Sequence, residues 1–428
     1  MERVLTFDMN RLWLASLRNT PRGIERVEFN FAEMLLEQWP GPIKGVCWTP
    51  WGIRVFDSSI LRRLIEHIRN TWSEDTLSSN DPVYNALKVW VTQGGEFSLD
   101  KQAPMAIHRL ARARAFLKSL RATGLHKGLP LISALPLNSI YLNIGHIGFM
   151  APGLRKALKM RPDIHTVALI HDTVSLNDPQ FFPEANEAYF AQILKRIAKR
   201  ANLVLTTTEG GLQELDTAFR NFGPTPPKLG VVSMQSVFRQ MPAFVADIAL
   251  RQHPYFVLCG TREPRKNHMM ILNIWRAMAQ SNAIVPKLIL VGGHGWGARH
   301  IEDFLENCVA VKDKIVRVER LSSPGLFNLI GNARALLSPS FSEGFGLPVS
   351  EALYLGTPVL ASNIHAYRET TRGLAVLIDP LDGLKWRTEI EHLVVGEAIP
   401  IELQSLRSQK YKKTKSKHTS LLDWLSHG

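Results

Sequence analysis

Two glutamates eight positions apart are the first candidates for chemistry in this sequence. Glu343 lies in a turn that contains two glycines, and Glu351 follows inside a segment that reads as a helix. Pro348 suits the first turn of such a helix and Gly356 suits its C-terminal cap. An ordinary connection between a strand and a helix would need neither glutamate.

The start of the same helix is a candidate anion site. A helix N-terminus presents N–H groups without helical partners and the positive end of the helix dipole. A phosphate group therefore fits above Gly346 and Leu347 without a metal ion. No Asp-x-Asp pair of the kind that holds a divalent ion beside phosphates occurs here, so we expect no metal site.

Two adjacent cations form the second candidate group. Arg265 and Lys266 follow an apolar run, Tyr255 to Cys259, which reads as a buried strand. Guanidinium and ammonium groups can neutralise negative charge on a bound ligand. Two solvated cations in a surface loop would give the same local sequence.

Strand-like and helix-like segments alternate along both halves of the chain, which predicts parallel sheets covered on both faces. Predicted strands include residues 43–48, 166–170, 287–291 and 315–318, and a predicted helix covers residues 23–38. We therefore predict two doubly wound α/β domains with a cleft between them, since ligands bind at the carboxyl ends of such strands. The N-terminal domain is placed at 1–240 and the C-terminal domain at 250–385. A basic tail, 386–428, follows, with a polar, lysine-rich stretch at 407–418 that we expect to be mobile and a candidate crossover helix near 421–425.

Composition and charge exclude several classes of protein. The chain has 428 residues, 45% of them hydrophobic, and three isolated cysteines, which argues against a disordered chain, a disulfide framework and a zinc site. The net charge is +13, and eleven Lys or Arg residues without an acid lie between Asp100 and Asp163. Neither basic region has the aromatic residues or motifs typical of nucleic-acid binding. A helix predicted at 104–121, carrying Arg109, Arg112 and Lys118, favours instead an anionic membrane surface.

The stretch from Ser338 to Ser362, SPSFSEGFGLPVSEALYLGTPVLAS, resembles the E-x7-E signature of retaining glycosyltransferases of family 4. The loop YFVLCGTREPRKNH, the strand VALIHD and the segment NTPRGIERVEFNF resemble further parts of that family, so the resemblance covers about residues 1–40 and 160–385. It implies the GT-B fold, two Rossmann-like domains that hold a nucleoside-diphosphate sugar mainly on the C-terminal one. It implies no cofactor.

The resemblance also implies roles for individual residues. Glu343 would face the transferred sugar, Glu351 would bind the ribose hydroxyls, and His171 would contact the sugar or orient the acceptor. Capping Asp172 is the simpler role for that histidine. Arg265 and Lys266 would bind the leaving diphosphate, and the remaining donor-binding candidates are Phe345, Gly346, Leu347, Gly23, Gly260 and Arg262. Family members often have Gly-Arg where this chain has Gly260-Thr261. Arg262 is therefore a candidate only as a replacement for the arginine that is missing at position 261.

The expected activity is the metal-independent transfer of a hexose, with retention, to a lipid-linked or polysaccharide acceptor in cell-surface glycan synthesis. The Glu-Pro-Arg-Lys-Asn loop and the His-Asp strand resemble mannosyl-type members, so GDP-mannose is the first expected donor. A sugar-nucleotide epimerase on the same fold and a non-catalytic sugar-nucleotide-binding scaffold are the alternatives. The expected location is the cytoplasm, with peripheral contact to the inner face of the cytoplasmic membrane.

Overall fold

The strands follow one another in two groups along the chain. The computed structural model describes residues 3–18, 21–72, 80–97, 108–124, 127–223, 226–238, 241, 244–281, 283–319, 321–414 and 418–427, with side chains from residue 114 onward in the fourth range. The strands are β1 (Leu5–Asp8), β2 (Ile43–Thr49), β3 (Gly52–Asp57), β4 (Leu129–Pro130), β5 (Ile140–Asn143), β6 (His165–Leu169), β7 (Leu203–Thr206), β8 (Lys228–Val231), β9 (Tyr255–Cys259), β10 (Lys287–Val291), β11 (Ile315–Val318), β12 (Ala335–Ser338), β13 (Val359–Ser362) and β14 (Val376–Ile378).

Helices connect most of these strands. They are α1 (Asn10–Ala15), α2 (Gly23–Gln38), α3 (Ser58–Trp72), α4 (Pro82–Gln93), α5 (His108–Thr123), α6 (Leu131–Ala134), α7 (Leu154–Met160), α8 (Val174–Asn177), α9 (Ala185–Ala198), α10 (Glu209–Arg220), α11 (Ile248–Gln252), α12 (His268–Gln280), α13 (Arg299–Asn307), α14 (Ser323–Asn332), α15 (Leu347–Leu355), α16 (His365–Thr370), α17 (Gly383–Val395), α18 (Ile401–Lys413) and α19 (Leu421–His427).

Two separate sheets organise the described part of the chain. The first has the strand order β4-β3-β2-β1-β5-β6-β7-β8, and the second has β11-β10-β9-β12-β13-β14. The second sheet is parallel throughout, and in the first only the pairings of β3 with its two neighbours are antiparallel. This arrangement confirms the predicted architecture of two doubly wound α/β domains, the GT-B fold.

Apolar runs bounded by polar residues gave the most accurate sequence predictions. The strands β9, β10 and β11 and the helix α2 begin and end at the residues that the sequence indicated. Central strands covered on both faces consist almost entirely of buried residues, so their apolar runs are continuous. In α2 the apolar residues recur every three or four positions, which places one face on the first sheet.

Helix α4 crosses from the first half of the chain to the second domain. Its apolar residues Tyr84, Leu87 and Trp90 pack in the core beneath the second sheet. Just before it, Asp81 accepts a hydrogen bond from the amide of Ser322, at 2.8 Å, ahead of α14. Residues 82–93 therefore pack in the core of the C-terminal domain, although they fall within the range 1–240 predicted for the N-terminal one.

The C-terminal tail is helical where the sequence predicted a mobile polar stretch. Helix α18 extends to Lys413, and Tyr411 on it is buried in the second core. The expectation of a mobile stretch was therefore wrong for residues 407–413, because α18 buries Ser408 and Tyr411, whose hydroxyls donate to the carbonyls of Tyr354 and Thr370. Helix α19 packs on the N-terminal domain, where the indole Nε1 of Trp424 donates to the carbonyl of Val231 at 3.0 Å.

The basic helix of the N-terminal domain is α5, which extends two residues beyond the predicted end. The side chains of Arg109 and Arg112 lie outside the described residues, whereas Lys118 is exposed. Phe116 and Leu117 are also exposed, at 44% and 52%. None of the helices in the described ranges combines the length and the apolar character needed to span a membrane.

Candidate functional site

Loops at the carboxyl ends of both sheets meet between the domains. Gly344, after β12, lies against the end of β6, where a Cβ at position 344 would come within 2.4 Å of the Asp172 Cβ. A Cβ at Gly23, the first residue of α2, would lie 3.3 Å from Leu347 at the start of α15. These approaches create the interdomain surface on which the candidate residues lie.

Glu343 is the centre of the site. Its Oε2 accepts a hydrogen bond from Arg265 Nη1 at 2.9 Å, and its Oε1 accepts from Ser340 Oγ at 2.7 Å and from the ammonium of Lys266. The side chain is 8% exposed. Burial raises the pKa of a carboxyl group, but the two cations and these hydrogen bonds outweigh it and lower the pKa of Glu343 to about 2. Glu343 is therefore an anion at any physiological pH.

The cations beside Glu343 are held in place by further contacts. Arg265 donates to the carbonyl of Ser342 at 2.6 Å and to Glu263 Oε1 at 2.7 Å. Burial lowers the pKa of Arg265, but the carboxylates of Glu343 and Glu263 raise it by more than burial lowers it. The guanidinium therefore stays charged. The side chain of Lys266 packs close to Gly260, because a Cβ at position 260 would lie 3.2 Å from Lys266 Cε. The structure thus brings Glu343, Lys266 and Arg265 together.

The start of α15 has the backbone that the sequence predicted. Gly346 has a φ of +79°, and a Cβ there would lie 2.2 Å from the ring of Tyr367, so both the conformation and the space require glycine. The helix starts at Leu347, has no side-chain cap, and leaves the N–H groups of its first turn without partners inside the helix. Phe345 turns aside and stacks with Phe238, with ring centroids 6.3 Å apart. The geometry suits an anion at this helix start.

Glu351 pairs with a residue that the sequence analysis missed. Arg26, on α2 of the opposite domain, places its Nη2 2.8 Å from Glu351 Oε1, and the two side chains are 19% and 4% exposed. The same guanidinium lies 5.2 Å from the ring centroid of Phe327 on α14. Arg26 comes three residues after Gly23, but only the approach of the two domains brings it to the second glutamate.

His171 is a buried, neutral residue in this structure. Its Nε2 donates to the carbonyl of Ile144 at 2.9 Å. Burial, with a smaller contribution from Arg11, lowers its pKa to about 4. His171 and Asp172 line a cavity of about 270 Å³ that also reaches Glu343. The structure therefore places His171 and Glu343 on the wall of one cavity, and the ring of His171 bonds to Ile144 and does not cap Asp172.

Arg262 differs from its expected position at the donor. Its Nε donates to Glu302 at 2.6 Å and its Nη2 to Glu319 at 2.7 Å, while Nη1 donates to the carbonyl of Gly292. The residue is 2% exposed. A buried guanidinium must be paired, and the carboxylates at the ends of α13 and β11 supply that pairing. We therefore correct the assignment: Arg262 joins neighbouring loops of the C-terminal domain.

The described side chains contain no cluster of three or more His, Cys, Asp and Glu residues arranged to hold a metal ion. Instead, the candidate site combines two buried carboxylates, two cations beside one of them, and a helix start. This combination can bind an anion next to a hydroxyl-rich ligand.

Comparison with known proteins supports this interpretation. Residues 253–396 match the family model described as Glycosyl transferases group 1. The matched segment lies in the C-terminal domain and covers about a third of the chain. This match covers the loops that hold Glu343, Glu351, Arg265 and Lys266, and it confirms the resemblance drawn from the sequence.

Curated relatives are similar at low identity. The chain is 28% identical over 239 residues to the O-antigen chain mannosyltransferase RfbU of Salmonella typhimurium, over 54% of this chain and 63% of that protein. It is 26% identical to O-antigen chain mannosyltransferase B of Escherichia coli, over 50% and 58%. It is 27% identical to a D-inositol 3-phosphate glycosyltransferase of Rhodococcus jostii, over 60% and 58%. The chain thus spans about 60% of the length of these relatives.

Solved structures share the fold across nearly the whole chain. Sucrose-phosphate synthase from Thermosynechococcus elongatus superposes with a TM-score of 0.56 at 15% identity, covering 96% of this chain and 94% of that one. HepE of Anabaena, in complex with UDP-glucose, gives 0.55 at 12% identity, with 95% of each chain covered. Both support the GT-B architecture.

Proposed function

We propose that this protein is a retaining, metal-independent hexosyltransferase. It would take mannose from GDP-mannose and pass it to a lipid-linked or polysaccharide acceptor in the synthesis of a cell-surface glycan. The similarity to two O-antigen chain mannosyltransferases supports mannose as the transferred sugar and cell-surface glycan synthesis as the process.

One observation carries the proposal: Lys266 and Arg265, in the loop after β9, flank the buried carboxylate of Glu343, in the loop before α15. A diphosphate at the start of α15 would lie beside both cations, which would stabilise the negative charge that develops as the glycosidic bond breaks. Glu343, fixed as an anion, would stabilise the positive charge that develops on the sugar. Both interactions strengthen towards the transition state, as catalysis requires.

The two glutamates do not fit a hydrolase. A retaining glycosidase needs two carboxyl groups about 5 Å apart across one bond. Here Glu343 is bound by cations of its own domain, whereas Glu351 lies one helical turn inside α15 and pairs with Arg26 of the other domain.

A transfer assay tests the proposal. The purified protein is incubated with radiolabelled GDP-mannose or other nucleoside-diphosphate sugars and a membrane extract, and the anomeric configuration of the product is read by NMR. We expect transfer with retention, and an activity loss in Glu343→Gln that is absent in the matched surface variant Glu306→Gln. Transfer with inversion contradicts the proposed stereochemistry. Epimerisation of the donor, or binding without turnover, would favour the epimerase or the scaffold.

We further propose peripheral contact with the inner face of the cytoplasmic membrane through α5. Phe116 and Leu117 are exposed beside Lys118, and the sequence of this region contains no acid. Each basic residue near an anionic leaflet contributes about 1 kcal/mol. We expect salt-sensitive co-sedimentation with vesicles containing anionic lipid, weakened by Lys118→Glu together with charge reversal at Arg109 and Arg112. Wild-type protein that stays in the supernatant at low salt contradicts this contact.

A further inference from the structure

The last turn of α16 carries a carboxylate that binds the opposite domain. Both carboxylate oxygens of Glu369 accept from the backbone amide of Glu209, each at 3.0 Å, although the two residues are 160 positions apart. Glu209 is the first residue of α10, in the N-terminal domain. The contact therefore joins α16 of the C-terminal domain to the start of α10.

The position of this carboxylate is unfavourable in its own helix and favourable for the other one. A helix presents partly negative carbonyls at its C-terminus and partly positive N–H groups at its N-terminus. Glu369 lies near the C-terminal end of α16, whereas its carboxylate binds an N–H of α10 that has no partner inside the helix. At the same helix start, Thr208 Oγ1 accepts from the amide of Gly211 at 3.1 Å. The first turn of α10 is therefore capped by one residue from each domain.

His418 fixes the Glu369 carboxylate from the segment that crosses back to the N-terminal domain. Its Nε2 donates to Glu369 Oε1 at 3.1 Å, and its Nδ1 lies 3.4 Å from Glu209 Oε1. The carbonyl of the next residue, Thr419, accepts from the amide of Ser233 at 2.9 Å. Burial raises the pKa of Glu369, but the hydrogen bonds from His418 and from the Glu209 amide outweigh it, so the pKa lies below its ordinary value. Glu369 is therefore an anion at neutral pH.

The start of α10 forms one wall of the cavity that Glu343 also lines. Thr207 Oγ1 donates to the carbonyl of His171 at 3.2 Å, which ties the residue before the helix cap to the wall that carries the histidine. A Cβ at Gly210 would lie 2.4 Å from Nδ1 of His365, the first residue of α16. Gly210 and His365 both line this cavity of about 270 Å³. Because α10 and α16 belong to opposite domains, the contact between them sets the width of the cavity.

We propose that Glu369 is a positioning residue for the transfer reaction. It binds the start of α10 across the domain interface and so sets the distance between the wall that carries His171 and the wall that carries Glu343. The proposal rests on the proposed function, because it takes Glu343 as the residue that faces the transferred sugar. Glu369 itself touches neither Glu343 nor the start of α15, so it acts through the separation of the domains.

Hydrogen exchange and steady-state kinetics on Glu369→Ala test this role. In peptides spanning residues 206–215, we expect exchange at the start of α10 to become about tenfold faster, the lower end of the range for a hydrogen bond to a charged group. We expect kcat with labelled GDP-mannose to fall by a similar factor. The donor KM should stay within about twofold, because the donor is expected mainly on the C-terminal domain. Glu369→Gln keeps an oxygen acceptor for the Glu209 amide and should lose less activity than Glu369→Ala.

Glu389→Ala is the matched control. The Glu389 side chain is 21% exposed, compared with 22% for Glu369, but it pairs with Lys385 inside α17 of the same domain. We expect wild-type kinetics and wild-type exchange at α10 from this variant. The proposal is overturned if exchange at α10 is unchanged in Glu369→Ala, if exchange rises while kcat stays the same, or if Glu389→Ala shows the same losses. A raised donor KM with unchanged kcat would also overturn it, because Glu369 would then act in donor binding.

Two further outcomes separate this inference from the proposed function. If Glu369→Ala does not fold, as judged by circular dichroism, Glu369→Gln gives the same comparison with a smaller expected loss. Wild-type protein that transfers no sugar would overturn the proposed function and the role of Glu369 in it. Transfer by the wild type with unchanged kcat in both Glu369 variants would overturn the positioning role alone.

Discussion

Replacing Lys266 with alanine removes one of the two cations on the buried Glu343. The pKa of that carboxyl is about 2, compared with its ordinary 4.5, which corresponds to about 3 kcal/mol in favour of the charged form. Arg265 and Ser340 keep their hydrogen bonds to Glu343 in the variant. We therefore expect a cost of about 1–2 kcal/mol in stability at neutral pH, less than the 3–5 kcal/mol of a fully broken buried pair.

The pH dependence of this stabilisation has a defined sign. Because folding lowers the pKa of Glu343, the stabilisation is fully present above pH 4.5 and is lost as the pH falls towards 2. Loss of Lys266 raises the pKa of Glu343 in the folded protein, so the pH-dependent stabilisation is smaller and its loss is complete at a higher pH than in the wild type. Thermal unfolding of wild type and variant between pH 3 and pH 7 measures this difference.

Turnover should fall much more than stability in Lys266→Ala. A charged group that stabilises a developing anion contributes about 100- to 1000-fold to the rate. The assay is donor turnover with labelled GDP-mannose, and Lys312→Ala, an exposed lysine of the same domain, is the control. Near wild-type turnover in Lys266→Ala would refute the role of this lysine at the leaving group.

Three other predictions address the rest of the site. Glu351→Gln should raise the donor KM about tenfold with a smaller effect on kcat, measured by initial rates, because the ribose contacts are made in the ground state and the transition state alike. Gly344→Ala should abolish turnover, because its Cβ would lie 2.4 Å from Asp172 Cβ and hold the domains apart. Circular dichroism checks that the variant is folded, and full activity would show that the domains need not approach here. Activity should survive EDTA, because Arg265 and Lys266 can bind the diphosphate, and loss that manganese restores would mean that the diphosphate binds elsewhere.

The sequence by itself determined the main strands and helices and the local backbone conformation at the site. Strands such as β9 and β10 follow from continuous apolar runs, and α2 follows from its period of three to four residues. The glycines on both ends of α15 follow from backbone conformations that L-residues rarely adopt. These features depend only on residues that are neighbours in the chain, so the local sequence is sufficient to predict them.

Only the tertiary structure decided which side chains meet. Lys266 and Glu343 are 77 positions apart, and Arg26 reaches Glu351 from the other domain. Arg262 adjoins the predicted donor loop, yet its buried guanidinium pairs with Glu302. A buried charge takes the partner that the assembled fold places within reach, because desolvation penalises every unpaired arrangement. That choice depends on distances between remote segments, which local propensity does not encode.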